Sequence, residues 1–199
     1  MTAKTLLELA GVTPIVPRLA EATLLIIDAQ NEYVDGALPL AGVEDALGEI
    51  AHLLARARER GASVVHIKHR GRAGGAFDPG ARRGEIVPQA APRGDEPIVE
   101  KTLPNAFAGT DLKSVLEAKG RRDLVIVGFM THMCIEATAR AALDLGFRPA
   151  VVAAATATRD LPDPLGGPVI PAAEVQRNAL AALNDRFATV VKRAEDLPL

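Results

Sequence analysis

Leu24-Leu25-Ile26-Ile27-Asp28-Ala29-Gln30-Asn31 is an aliphatic run that stops on a carboxylate and two amides. Together with Thr23, the four aliphatic residues suit a strand covered on both faces, because successive side chains of a strand point to opposite sides and here both sides are apolar. Four further runs share that character: Ser63 to Ile67, Leu124 to Val127, Ala150 to Ala153 and Thr189 to Val191. A weaker sixth candidate, Pro97 to Glu100, lies between the second and third. Helical periodicity fills most of the intervals. Val43 to Arg60 places Leu47, Ile50, Leu53 and Leu54 on one face, and Ile135 to Leu145 is rich in alanine. Gly61 and Gly146 mark the ends of these two helices, and Pro171 is placed at the first position of a third that runs to about Leu183. Repeated strand, helix, strand units require a mainly parallel sheet covered on both faces, since the crossovers are right-handed. The expectation is a three-layer α/β/α sandwich. The segment 70–96, rich in Gly, Pro and Arg, is too long for a simple connection and is read as a functional loop.

Composition narrows the function classes. The chain has 199 residues, 48% hydrophobic and 24% charged, which suits one domain spanning residues 1–199. The net charge is −2 with basic and acidic residues interspersed, and there is no Trp, one Tyr and five Phe. That offers neither a basic stripe nor stacking platforms, so nucleic acid is not an expected partner and a small molecule is. A single cysteine allows no intrachain disulfide. In Met1 to Ala20 only Lys4 precedes the apolar residues, while Glu8, Pro14 and Pro17 break any secretory core, and no run approaches the roughly 18 apolar residues of a membrane span. A cytoplasmic protein with no membrane partner is expected.

In an open parallel sheet, reactive groups gather at the carboxyl ends of strands. Three stand there: Asp28 after the first strand, Lys101 after the weak one, and Cys134, reached from the third apolar run through Gly128-Phe129-Met130-Thr131-His132-Met133. A thiol has an ordinary pKa near 8.5 and needs help to react at neutral pH. Cys134 falls at or within the first turn of the alanine-rich helix, where free N–H groups favour an anion, and Lys101 adds a cation. Asp28 can take the thiol proton and return it to a leaving amine. The N–H groups of Met130 and Cys134 are the candidate oxyanion hole. Each residue alone has a plainer reading, as a packed cysteine, a turn-capping Asp and a solvated Lys. Their shared placement makes the catalytic case.

These residues resemble the isochorismatase-like cysteine hydrolases, a family that includes nicotinamidases, N-carbamoylsarcosine amidohydrolase and other small amidases. The resemblance spans roughly Leu24 to Val191 and rests on Asp28-Ala29-Gln30, Lys101-Thr102-Leu103-Pro104-Asn105-Ala106-Phe107 and Gly128 to Cys134. It implies a catalytic triad of Asp28, Lys101 and Cys134, a cis peptide between Phe129 and Met130, a six-stranded sheet in the order 3-2-1-4-5-6, and a homodimer or homotetramer. Family members that cleave the vinyl ether of isochorismate lack the cysteine, so Cys134 favours acyl chemistry. Zinc-dependent nicotinamidases carry Asp-x-His-x-x-His, whereas this chain has Val65-His66-Ile67-Lys68-His69-Arg70, without the Asp and with its two His on opposite faces of a strand. No metal site is assigned. Thr156 and Gln176 stand where many members have an Asp and a His.

The candidate substrate contacts are Gln30, Tyr33, Asn105, Phe107 and His132, with Asn105 equally suited to finishing a turn. His132 lies two residues before Cys134, a spacing that need not let it serve as base. Phe77 is a further aromatic that could wall a pocket, and Arg70, Arg72, Arg82 and Arg83 could hold a carboxylate or merely keep the loop soluble. Gly71 to Gly75 and Gly166-Gly167 lack dinucleotide-binding spacing, so no cofactor is expected. Three functions stay open: a cysteine hydrolase of an amide or related carbon-nitrogen bond, a vinyl ether hydrolase with Asp28 as acid, and a non-catalytic oligomeric binding protein on the same scaffold.

Overall fold

The structure, a computed structural model, describes residues 3–199, so Met1 and Thr2 of the stretch Met1 to Ala20 and of the 1–199 span lie outside the described residues. Six strands, β1 (Thr23–Ile27), β2 (Ser63–His69), β3 (Ile98–Lys101), β4 (Asp123–Phe129), β5 (Arg148–Ala157) and β6 (Thr189–Val191), form one sheet in the order β3-β2-β1-β4-β5-β6. Every pairing is parallel, so the sheet is wholly rather than mainly parallel. The helices are α1 (Leu6–Leu9), α2 (Val43–Glu59), α3 (Leu112–Ala118), α4 (Glu136–Asp144) and α5 (Ala172–Arg186).

The continuous aliphatic runs divide between two cores. Leu24 and Ile26 of β1, Val125 and Val127 of β4, and Val152 of β5 pack on the face covered by Leu47, Ile50, Leu53 and Leu54 of α2. Leu25, Ile27, Leu124, Ile126 and Val151 point the other way, onto Leu116 of α3, Ala139 and Ala142 of α4 and Leu183 of α5. The three layers follow from this alternation.

Several elements depart from the sequence reading. β2, β4 and β5 outrun their apolar stretches, because the ladder is made by backbone groups and continues wherever a neighbour runs alongside. Pro171 is extended (φ −63°, ψ 148°) and forms the N-cap of α5, one residue before its expected place. Cys134 lies in a π-helical turn, Thr131–Ile135, that precedes α4 rather than in the first turn of α4 itself. Segment 70–96 contains only two 3-10 turns, Arg82–Gly84 and Pro88–Ala90. Its second half is pinned beneath β1 by backbone bonds from Asn31 N–H to Glu85 O and from Val87 N–H to Ala29 O.

Candidate active site

Asp28, Lys101 and Cys134 converge at the carboxyl edge of the sheet. Asp28 follows β1 with φ +51°, a left-handed backbone that turns the chain sharply and aims the carboxylate across the strand ends. Lys101 is the last residue of β3 and stands in register with His69, the last of β2. Its side chain crosses the end of β2 and is fully buried. Nζ lies 2.7 Å from Asp28 Oδ2, 3.3 Å from Cys134 Sγ and 3.1 Å from His69 Nδ1. An ammonium has three protons to donate, and these are three partners.

Burial sets the protonation of this cluster. It pushes the Asp28 carboxyl above the ordinary range, with the charge of Lys101 and its hydrogen bond pulling the other way. It pushes the Cys134 thiol up to about 12, helped by the Asp28 charge and opposed by Lys101. Sequence reasoning expects thiolate-favouring surroundings from a helix start and a lysine. The structure gives the reverse balance, because desolvation and the facing carboxylate outweigh them. In the free protein the proton rests on sulfur, with its acceptor alongside. His69 is held neutral, its pKa lowered to about 4 by burial and by the Lys101 ammonium. It therefore accepts from Lys101 at Nδ1 and carries its proton on Nε2.

The segment before the thiol is ordered by its own carbonyls. The Phe129–Met130 peptide is cis, as the resemblance implies. Met130 O accepts from the N–H groups of Met133 and Ile135, which closes the π turn around Cys134. Thr131 Oγ1 donates to Ala157 O at 3.1 Å and ties the turn to β5. The Ala106 N–H donates to Thr138 Oγ1 at 3.0 Å, which docks the loop after Lys101 onto α4.

The expected substrate contacts fare differently. Gln30 is fully buried and its amide is spent on the scaffold: Nε2 donates to His69 O and Gly84 O, and Oε1 accepts from His69 N–H. It braces His69 and the long loop instead of facing a cavity. Tyr33 is buried edge-on between Phe77 and Phe129, with ring centroids 5.1 and 5.7 Å away. Asn105 Oδ1 accepts from Phe107 N–H at 2.9 Å, the turn-finishing alternative. Phe107 stacks on Phe147. His132 Nδ1 meets Thr158 Oγ1 at the end of β5, whereas its Nε2 is buried without a partner among the described residues. Thr156 and Gln176 do meet, Gln176 Nε2 donating to Thr156 Oγ1 at 2.8 Å. His66 and His69 part as expected, His66 bonding Glu96 while His69 joins Lys101.

Two contributors escaped the sequence reading. His69 was visible only as half of an incomplete metal pattern, and its register opposite Lys101 was the missing signal. Glu32 is a fully buried carboxylate that accepts from Phe77 N–H at 3.1 Å and Ala37 N–H at 2.7 Å, thereby placing the Phe77 ring against His69. A surface Glu would look the same in sequence. Beside His69 opens a cavity of about 410 Å³ lined by His69, Arg70, Gly71, Arg72 and Thr102.

The isochorismatase domain model matches residues 22–195, nearly the span from β1 to the end of the chain. The secreted isochorismatase effector Isc1 of Verticillium dahliae is 35% identical over 185 residues, covering 92% of this chain and 94% of that protein. The ureidoacrylate amidohydrolase RutB of Variovorax paradoxus is 27% identical over 198 residues, covering 81% and 76%. The crystal structure of an isochorismatase from Pseudomonas putida superposes with a TM-score of 0.94 at 40% identity, covering 98% of this chain and all of that one. With that match over most of its length and relatives alike from end to end, the chain belongs to the isochorismatase family of hydrolases.

Proposed function

We propose that this hydrolase cleaves an amide or related carbon-nitrogen bond of a small molecule through a thioester on Cys134. One observation carries the reading: the buried Lys101 ammonium sits within 2.7 Å of the Asp28 carboxylate and 3.3 Å of the Cys134 sulfur. Nucleophile, base and fixed cation are thus assembled without water between them. Asp28 takes the thiol proton as sulfur attacks the carbonyl carbon, and Lys101 holds the thiolate that forms. The N–H groups of Met130 and Cys134 receive the oxyanion, a role supported by the absence of any other partner for Met130 N–H among the described residues. The raised pKa of Asp28 suits the next step, in which its proton passes to the leaving nitrogen and the carbon-nitrogen bond breaks. Asp28 then deprotonates a water that attacks the thioester, releasing the acid and restoring the thiol. The likeness to RutB, an amidohydrolase of ureidoacrylate, supports the bond type. Self-association into a dimer or tetramer is part of the proposal, and sedimentation velocity reads it directly.

The test is Cys134→Ala. Against a panel of small primary amides and ureides, scored by ammonia release, the variant is expected to lose turnover while keeping a cooperative thermal transition. Normal turnover by the variant overturns the mechanism. The raised pKa of Asp28 also suits a second reading, proton donation to a vinyl ether. Isochorismate cleavage that survives Cys134→Ala and is lost in Asp28→Asn would establish it.

A further inference from the structure

The cavity beside the triad has a charge character that the triad does not use. His69 is fixed from three sides: Gln30 holds its backbone N–H and carbonyl, Phe77 lies against its ring at 4.9 Å, and Lys101 donates to Nδ1. With Nδ1 occupied as an acceptor, Nε2 must carry the proton, so His69 presents a donor of fixed direction and no acceptor. The adjoining wall adds Arg70 and Arg72. Glu100 is the neighbouring carboxylate, and it is shared, with one oxygen 3.6 Å from Arg70 Nε and the other 3.8 Å from Lys68 Nζ. Arg72 has no ion-pair partner among the described residues. Of the residues that line the cavity, Arg70 and Arg72 are cationic and none is a carboxylate, and every polar side chain among them can donate, Thr102 being able to accept as well.

We infer that this cavity is a carboxylate subsite, with His69 Nε2–H and the guanidinium groups of Arg70 and Arg72 binding a carboxylate on the substrate while its amide carbon reaches Cys134. The assignment rests on the reading of Cys134 as nucleophile and adds the substrate class: an acidic amide or ureide. Guanidinium groups suit this ligand because their planar donor pairs match a carboxylate, and the bonds are charge-assisted. His69 couples the subsite to the reaction, since the same ring touches Lys101. A carboxylate bound at Nε2 is therefore one imidazole away from the ammonium that serves the thiol. At an exposed mouth one arginine alone binds weakly, which is why two and a fixed imidazole donor are needed.

Titration calorimetry of the full chain with succinate and with uncharged succinamide reads the subsite without chemistry. Succinate is expected to bind at least about tenfold more tightly than succinamide, and Arg70→Gln/Arg72→Gln to remove that preference, the scale of one lost charge-assisted hydrogen bond. Equal affinities, no detectable binding of succinate, or undiminished binding by the double variant overturns the subsite. Inorganic phosphate bound more tightly than succinate overturns its assignment to a carboxylate. A second measurement aligns the subsite with the thiol: the ratio of Cys134 alkylation by iodoacetate to that by iodoacetamide, which differ in charge and little in size. That ratio is expected to fall about tenfold in the double variant. If succinate binding follows the arginines and the ratio does not move, the anion site is not the substrate site. Arginine-dependent succinate binding alongside full turnover by Cys134→Ala would sink the nucleophile and leave the subsite standing, so the two failures are distinct.

Discussion

At the scale of single residues, the thiol carries the most direct prediction. Cys134 has its pKa pushed up to about 12, with burial first and the Asp28 charge second, and Lys101 opposing both. Its alkylation should be slow at pH 7 and keep rising with pH well beyond the range of an ordinary thiol. Asp28→Asn removes a negative charge, so it should shift that profile toward lower pH, whereas Lys101→Met removes a positive one and should shift it higher. Rates of labelling measured against pH for the three proteins check both signs. If the profile turns over near pH 8.5 and ignores both substitutions, the thiol is not coupled to the pair. In turnover, Asp28→Asn keeps shape but cannot accept the proton. A loss of about a hundredfold or more in kcat is expected, the usual worth of a positioned general base. All three residues were legible in the sequence from their place after strands. His69 was not, because a histidine at a strand end gains its meaning from the lysine paired beside it.

At the scale of elements, the close approach of β4 to the end of β1 requires a glycine at position 128. Gly128 has φ +115°, and a Cβ placed there would lie 1.9 Å from Ile27 O and 2.8 Å from Ile27 N. Those are backbone atoms of the strand that delivers Asp28, so neither can swing away. Gly128→Ala is expected to cost about 3 kcal/mol or more, combining a disfavoured backbone region with overlap in the core. Urea denaturation followed by circular dichroism measures this, and a change under about 1 kcal/mol would show that the strand ends can separate. The motif Gly128 to Cys134 was readable as a loop bearing a nucleophile, yet its π turn was not. A π turn differs from an α turn by one residue of hydrogen-bond register, and here that register is set by Met130 O accepting from Ile135 N–H. No local propensity distinguishes the two.

At the scale of the whole molecule, two partly buried groups, His69 and Glu96, shape its response to acid. His69 titrates near 4 in the folded chain against 6.5 ordinarily, so between these values the unfolded chain binds more protons. Stability should therefore fall as pH drops from about 6.5 to 4. Glu96, pinned by both guanidinium contacts of Arg58 and by His66, is held down to about 2 despite the opposing push of burial. Its contribution is present above its ordinary value of 4.5 and is lost as pH falls through 2. Urea midpoints recorded from pH 7 to 3 should decline in two stages. His69→Asn should flatten the first and Glu96→Gln the second, and an unaltered slope in either variant would discount that residue.

The architecture was legible because it is written in local chemistry. Aliphatic runs of four or five residues separated by helical periods admit few arrangements other than a covered parallel sheet, and the polar residues terminating those runs mark its reactive edge. Tertiary structure alone decided which polar side chains meet around Lys101 and which hold the scaffold. Gln30 and Tyr33 look like site residues in sequence and are consumed by the framework, whereas Glu32 and His69 look incidental and set the geometry around Lys101. The protonation state of the thiol was likewise beyond the sequence. It depends on how far water is excluded and on the distance between Asp28, Lys101 and Cys134, and desolvation and Coulomb energies arise only when separate strands bring those charges together.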